Sequence, residues 1–188
     1  MADALIDEED FDRDERLPYW AELWPSAVAL AQYVSKEDLA DRSVVEFGCG
    51  VGLPSIVALA RGADVTATDY YAAALDFVRY NARVNLSLEP ETRLLDWHAP
   101  GTGELGPFDL VLAADVLYES RNVPALAALM PTLLVPDGEV LLADPRRKDA
   151  PTFLEKMREG GFRSATDGCL VPSGEREVGL QVHRLWRN

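Results

Sequence analysis

The sequence predicts an α/β fold: a mostly parallel sheet with helices on both faces and an antiparallel hairpin at one edge. Three observations support this. Short apolar runs ending in Gly or Asp alternate with helical stretches from residue 43 onward. The last two apolar runs are separated only by Pro172-Ser173-Gly174, too little chain for a helix. The 188 residues suit one domain built around a single core.

Residues 1–16 are dense in Asp and Glu and poor in large apolar side chains, so a flexible acidic tail is expected before a single domain over 17–188. Pro18-Tyr19-Trp20-Ala21-Glu22-Leu23-Trp24-Pro25 is aromatic and bracketed by prolines. It leads into an alanine-rich helix over 26–34, with Ser26 as its candidate N-cap. Strands are expected at 43–47, 63–69, 92–95, 108–114 and 138–144. Helices are expected at 53–61, closed by Gly62, and at 72–84, 124–134 and 151–158. The hairpin strands run over about 163–170 and 177–186.

Composition narrows the function. Hydrophobic residues make up 48% and charged residues 27%, as in a soluble globular chain. No apolar run approaches the roughly 18 residues a membrane span needs, and the acidic N-terminus does not resemble a secretory signal. A cytoplasmic location and no membrane partner are expected. Cys49 and Cys169 lie far apart and lack metal-ligand spacing, which fits a reducing compartment without structural zinc. A net charge of −14 repels phosphate backbones, so nucleic acid is not the expected partner. The charge is compatible with a basic target, though solubility alone accounts for it.

The most informative segment is Glu46-Phe47-Gly48-Cys49-Gly50-Val51-Gly52, placed after a strand and before a helix. Glycines there permit a sharp turn and close approach of a ligand. The helix that follows offers free N–H groups to an anion such as the carboxylate of a methionine-like group. The G-x-G-x-G spacing departs from the dinucleotide fingerprint. Glu46 would repel a pyrophosphate, yet it suits a ligand carrying a sulfonium and an ammonium. Asp69 ends the second strand, where such folds place an acid on ribose hydroxyls. Together these features point to S-adenosyl-L-methionine.

Asp96-Trp97 follows the third strand and offers an acceptor for an exocyclic amine beside a flat apolar face. Ala114-Asp115-Val116-Leu117-Tyr118 follows the fourth, at the sheet edge where open α/β folds bind ligands. Asp115 and Tyr118 are the candidate catalytic pair, able to orient an amine for in-line displacement. Tyr19, Trp20 and Trp24 could provide aromatic faces for a cationic acceptor, or simply a hydrophobic cover on the sheet. His98 and His183 complete no nucleophilic or metal constellation, and Cys49 reads as small filler in the loop.

These motifs resemble the class I, seven-β-strand methyltransferases over nearly the whole chain from Leu17. More narrowly they resemble the methyltransferase-16 group of lysine methyltransferases. The resemblance is carried by Pro18–Pro25, Glu46–Gly52, Asp69, Asp96-Trp97 and Asp115-Val-Leu-Tyr118. Pro18–Pro25 and Ala143-Asp144-Pro145 look closest to the branch acting on the β subunit of electron transfer flavoprotein. The resemblance implies a Rossmann-like doubly wound sheet of order 3-2-1-4-5-7-6 with strand 7 antiparallel. It implies cofactor contacts at Trp24, Gly48, Gly50, Asp69, Trp97 and Ala114. The loop reading adds Glu46, Cys49, Gly52 and Asp96. It further implies S-adenosyl-L-homocysteine as product, a lysine ε-amine on a protein as acceptor, and substrate contacts at Asp115 and Tyr118, beside Tyr19 and Trp20. A monomer is expected. Small-molecule N-methylation, protein N-terminal methylation and a non-catalytic interaction module are the alternatives.

Overall fold

In the computed structural model, the described residues are 19–101, 105–174 and 176–187. The expected acidic tail lies outside them. The chain begins with a 3-10 turn at Tyr19–Ala21, followed by α1 (Pro25–Val34), β1 (Ser43–Phe47), α2 (Leu53–Ala60) and β2 (Asp64–Asp69). Next come α3 (Ala72–Leu86), β3 (Glu91–Leu94), β4 (Phe108–Ala114), α4 (Asn122–Leu129) and a 3-10 turn at Met130–Leu133. The chain closes with β5 (Leu134–Asp144), α5 (Ala150–Glu159), β6 (Arg163–Ser173) and β7 (Arg176–Trp186).

The sheet order is β3-β2-β1-β4-β5-β7-β6, as the resemblance implies. β1 pairs in parallel with β2 and β4, and β7 runs antiparallel to both β5 and β6. The chain winds outward from β1 through β2 to β3 and then returns to place β4 on the other side of β1. Strand order therefore reverses between β1 and β4, which opens a crevice at their carboxyl ends.

Strand alternation sorts the core into two layers. Val44, Val65, Leu110, Leu112 and Leu141 face α1 and α2. Val45, Phe47, Val111, Val140 and Leu142 face α4 and α5, where they meet Leu126, Phe153 and Met157. α3 joins α2 on the first face through Leu75 and Val78, packed with Cys49 and Ala67.

Several boundaries differ from expectation. Ser26 is not the cap of α1: Trp24 caps it in extended conformation, and Pro25 opens the helix. Proline is suited to the first helical position because its N–H would be unpaired there anyway. The expected helix over 124–134 begins at Asn122 and tightens into the 3-10 turn at Met130. Pro131 has no N–H for the i−4 bond, so the α pattern cannot continue through it. β5 starts at Leu134 rather than Gly138, because a register shift opposite Phe108/Leu110 absorbs the turn-like residues 135–138. β6 runs through Pro172 to Ser173, which an edge strand tolerates because one side of its backbone needs no partner.

Candidate active site

Phe47, Asp69, Leu94, Ala114 and Asp144 end five strands on one edge of the sheet. The loops after them bring together residues far apart in sequence.

The glycine loop crosses the end of β1. Cys49 N–H donates to Thr68 O at 2.9 Å, which ties the loop to β2. Gly50 has φ +52°, and a Cβ there would sit 3.0 Å from the carbonyl oxygen of Trp20. Gly52 has φ +81°, and its Cβ would lie 2.6 Å from Val78 Cγ2. Both positions require the left-handed region and tolerate no side chain. A Cβ on Gly48 would touch Trp97 Cζ2 at 3.0 Å. The Cys49 side chain is buried, and burial, followed by the nearby Glu46 and Asp69, pushes its thiol well above the usual range. Burial of this kind disfavours the thiolate.

Glu46 does not face the open side of the loop. It shares strand parity with Val44, not with Val45 and Phe47, so it points toward the α1–α2 layer. Its Oε2 accepts from Ser55 N at 2.9 Å and from Ser55 Oγ at 2.5 Å. Burial pushes its carboxyl up to about 8 against those hydrogen bonds, and Asp69 adds to the rise. The helix end expected to offer several free N–H groups is therefore largely committed. Pro54 has none, and that of Ser55 goes to Glu46.

Asp69 sits at the lip of the crevice, 6% exposed. Its Oδ2 accepts from Gly50 N and its Oδ1 from Tyr71 N, each at 3.0 Å. Burial raises its carboxyl despite these bonds. One side chain thus fixes both the glycine loop and the turn into α3, leaving lone pairs on both oxygens.

Asp96 Oδ1 accepts from His98 N at 2.8 Å. Trp97 lies between the Gly48 backbone and the α4–α5 core, with its Nε1 buried and unpartnered among the described residues. On the opposite side, the Trp20 ring meets Phe77 edge-on at 5.3 Å, and its carbonyl covers Gly50. Trp24 Nε1 donates to Tyr19 O at 2.8 Å, so its polar edge is used within the aromatic segment. Tyr19 is exposed and packs on Trp24 at 6.1 Å.

Asp115 follows Ala114 with φ +59°, and its N–H donates to Ala143 O at 2.9 Å. An aspartate in the left-handed region marks backbone strain of the kind found at functional sites. Its Oδ1 is 2.5 Å from Arg147 Nε. Tyr118 stands three residues on, 54% exposed. Burial around its hydroxyl and the nearby Glu119 raise its phenol, an effect that solvent partly screens.

Three residues of this edge escape sequence reasoning: Ser55, Asn122 and Arg147. Asp144 enters there only through the resemblance, with no role in the site. Asn122 is buried and donates from Nδ2 to Val116 O at 3.1 Å, and its Oδ1 lies 3.2 Å from His98 Nε2. It pins the loop carrying Asp115 and Tyr118. Asp144 ends β5, and extending to that strand the strand-end rule that picks out Asp69 and Asp115 would have made it a site candidate. Among the described residues no group of His, Cys, Asp and Glu is arranged to hold a metal ion. No described helix is long and apolar enough to cross a membrane.

Comparison with known proteins gives consistent relatives. A family profile described as lysine methyltransferase matches residues 11–160. The chain is 32% identical over 175 residues to EEF1A lysine methyltransferase 3 of Mus musculus, covering 90% of this chain and 73% of that protein. It is 34% identical over 174 residues to the electron transfer flavoprotein beta subunit lysine methyltransferase of Danio rerio, covering 90% and 66%. Among solved structures, magnesium protoporphyrin IX methyltransferase from Synechocystis PCC 6803, with bound SAM, superposes with TM-score 0.69 at 18% identity, over 97% of this chain and 86% of that one. At that identity the likeness concerns the fold.

Proposed function

The chain belongs to the lysine methyltransferase family, and from that premise we propose that it methylates the ε-amine of a lysine in a protein. It is an S-adenosylmethionine-dependent methyltransferase. The observation that carries the acceptor proposal is the convergence of the glycine loop, Asp69, Asp96-Trp97 and the Asp115–Tyr118 segment on one sheet edge.

The residues present fit the cofactor. Side chains on Gly48 or Gly50 would fill the cradle, Asp69 keeps free acceptor capacity at its lip, and Trp97 offers a flat apolar face. Gly48, Gly50 and Gly52 would admit the amino-acid end, with Cys49 and Glu46 shaping the loop from within. Asp69 would take the ribose hydroxyls, Asp96, Trp97 and Ala114 would border the base, and Trp24 would close one side. Bound there, the cofactor supplies a methyl group made electrophilic by its sulfonium, and S-adenosylhomocysteine is the product.

The acceptor side is built by the chain itself. Asp115 is held rigidly by its strained backbone and its bond to β5, so its carboxylate can orient an amine. Tyr118 stands exposed beside it, able to direct the nitrogen lone pair and to offer a ring face to the cation that forms. Tyr19 and Trp20, in the aromatic segment over the glycine loop, would offer further faces to the acceptor. The net charge of −14 favours a basic target segment and disfavours nucleic acid. Free Cys49 and Cys169 support a cytoplasmic setting, and a monomer suffices for this site.

Incubation with radiolabelled S-adenosylmethionine and a cell lysate, followed by mass spectrometry, tests the proposal. A discrete labelled protein modified on lysine is expected. Label confined to small amines or to protein N-termini would overturn the lysine assignment.

A further inference from the structure

Arg147 is bound to Asp115, one of the candidate catalytic pair, by an arrangement that the proposed reaction leaves unexplained. Its Nε lies 2.5 Å from Asp115 Oδ1, with the Asp115 side chain 10% and the Arg147 side chain 33% exposed. Its backbone N–H donates to Asp144 Oδ1 at 2.7 Å. The other oxygen of Asp144 is buried and unpartnered among the described residues. Arg146, just before, is held at φ +64°, matching the left-handed φ of +59° at Asp115 across the β4–β5 pair. Two strained non-glycine residues thus frame one ion pair, and such strain persists only where its surroundings enforce it. The two loops are also clamped by Ser120 Oγ, which donates to Asp149 Oδ2 at 2.7 Å.

We propose that Arg147 is a positioning residue for methyl transfer: it balances the charge of Asp115, so the acceptor amine enters a site that already holds a fixed cation. This rests on the lysine reading above. An ε-ammonium has no lone pair and must release a proton to water before its nitrogen can attack. Nitrogen then bonds to the methyl carbon as the C–S bond breaks, and the C–S electron pair stays on sulfur. Two uncompensated carboxylates, Asp115 and Asp144, would hold the amine in its charged form. A guanidinium beside them favours loss of that proton, and as a group that stays charged in proteins it does so at every working pH. The charged or titratable groups acting on Arg147 are Asp115, Asp144 and Tyr118; Glu119, Arg121 and Asp69 act on Tyr118 in turn, and Asp149 at the start of α5 is taken up by Ser120.

The test compares wild-type protein with Arg147→Gln, Arg147→Lys and Ser120→Ala, using a synthetic peptide around the lysine found in the labelled lysate. Folding is checked by thermal unfolding, and cofactor binding by calorimetry. In Arg147→Gln the acid limb of the kcat–pH profile, which reports the bound amine, is expected to move up by about one pH unit, a roughly tenfold loss near neutrality that closes at alkaline pH. Arg147→Lys keeps the charge and restores the limb. Ser120→Ala loosens the same loops without changing charge, and leaves the limb in place. Equal loss at all pH values in Arg147→Gln, or a profile overlying wild type, overturns the proposal. So does a failure of Arg147→Lys to restore the limb. If the wild-type protein labels no lysine, the lysine reading falls and this proposal with it.

Discussion

Replacing Glu46 with Gln should change how stability depends on pH. Glu46 is 1% exposed, and its carboxyl is pushed from the ordinary 4.5 up to about 8 by burial. Between those values the folded state holds a proton that the unfolded state has released. Raising pH therefore favours unfolding. The stabilisation is fully present below 4.5 and is lost as pH climbs through about 8. The slope for one such group is about 1.4 kcal/mol per pH unit, and the full span is worth roughly 4 to 5 kcal/mol. Glutamine keeps the shape and an acceptor for Ser55 but cannot ionise.

The measurement is denaturant unfolding of both proteins at several pH values, read as a difference curve. Asp69, Asp144 and Asp109 also titrate with folding, but they are present in both proteins and largely cancel. Between pH 5.5 and 7.5 the wild-type protein should lose about 2.7 kcal/mol relative to Glu46→Gln. The absolute offset between the two carries no weight, because the amide hydrogens of Gln also need partners. Parallel curves would refute the reasoning. They would mean that the two hydrogen bonds from Ser55 keep Glu46 ionised, as an ordinary helix-capping carboxylate, throughout that range.

Three further variants of the same edge have defined outcomes. Gly52→Ala combines a left-handed φ with a Cβ placed 2.6 Å from Val78 Cγ2, so chemical denaturation should show a loss of about 2 to 4 kcal/mol. Adding Val78→Ala should relieve the clash but not the backbone part, and a Gly52→Ala protein within ~0.5 kcal/mol of wild type would contradict both. Asp69→Ala should weaken cofactor binding by calorimetry at least tenfold, about 1.4 kcal/mol, because it frees the Gly50 and Tyr71 amides that shape the cradle. Asp115→Ala should instead lower turnover with cofactor affinity within about threefold of wild type, and equal losses of affinity in both would undo the division of roles.

The glycine-loop side of the candidate site was legible in the sequence because its signals are local. Gly48, Gly50 and Gly52 lie within one turn, and the apolar runs at 43–47 and 108–114 are bounded by residues that stop strands. What was missed within that region was direction. Spacing puts Glu46 at the loop, but alternation along β1 turns its carboxylate beneath it, toward Ser55. Reading side-chain parity as well as position would have found that bond. Helix ends failed for similar reasons. Pro25 and Pro131 displaced the boundaries of α1 and α4, where hydrophobic period alone put them elsewhere.

The proposed acceptor side depends on pairs that no local pattern can announce. Arg147 meets Asp115 across 32 positions, and Ser120 meets Asp149 across 29. Both pairs exist because β5 lies beside β4 in parallel register, with Ala114 opposite Ala143. Once that adjacency is known, the carboxyl end of β5 must project into the same crevice as the end of β4. A charged residue just after β5 is then as strong a site candidate as one just after β4. In a doubly wound sheet the residues that tune a reaction need not lie in the motif that binds the cofactor. They can sit one strand over, where the fold rather than the spacing brings them into contact. The strained φ values at Asp115 and Arg146 mark the two sides of that contact, and with Arg147 as the proposed positioning residue, the Asp115–Arg147 ion pair is the place where acceptor chemistry is altered without touching the glycine loop.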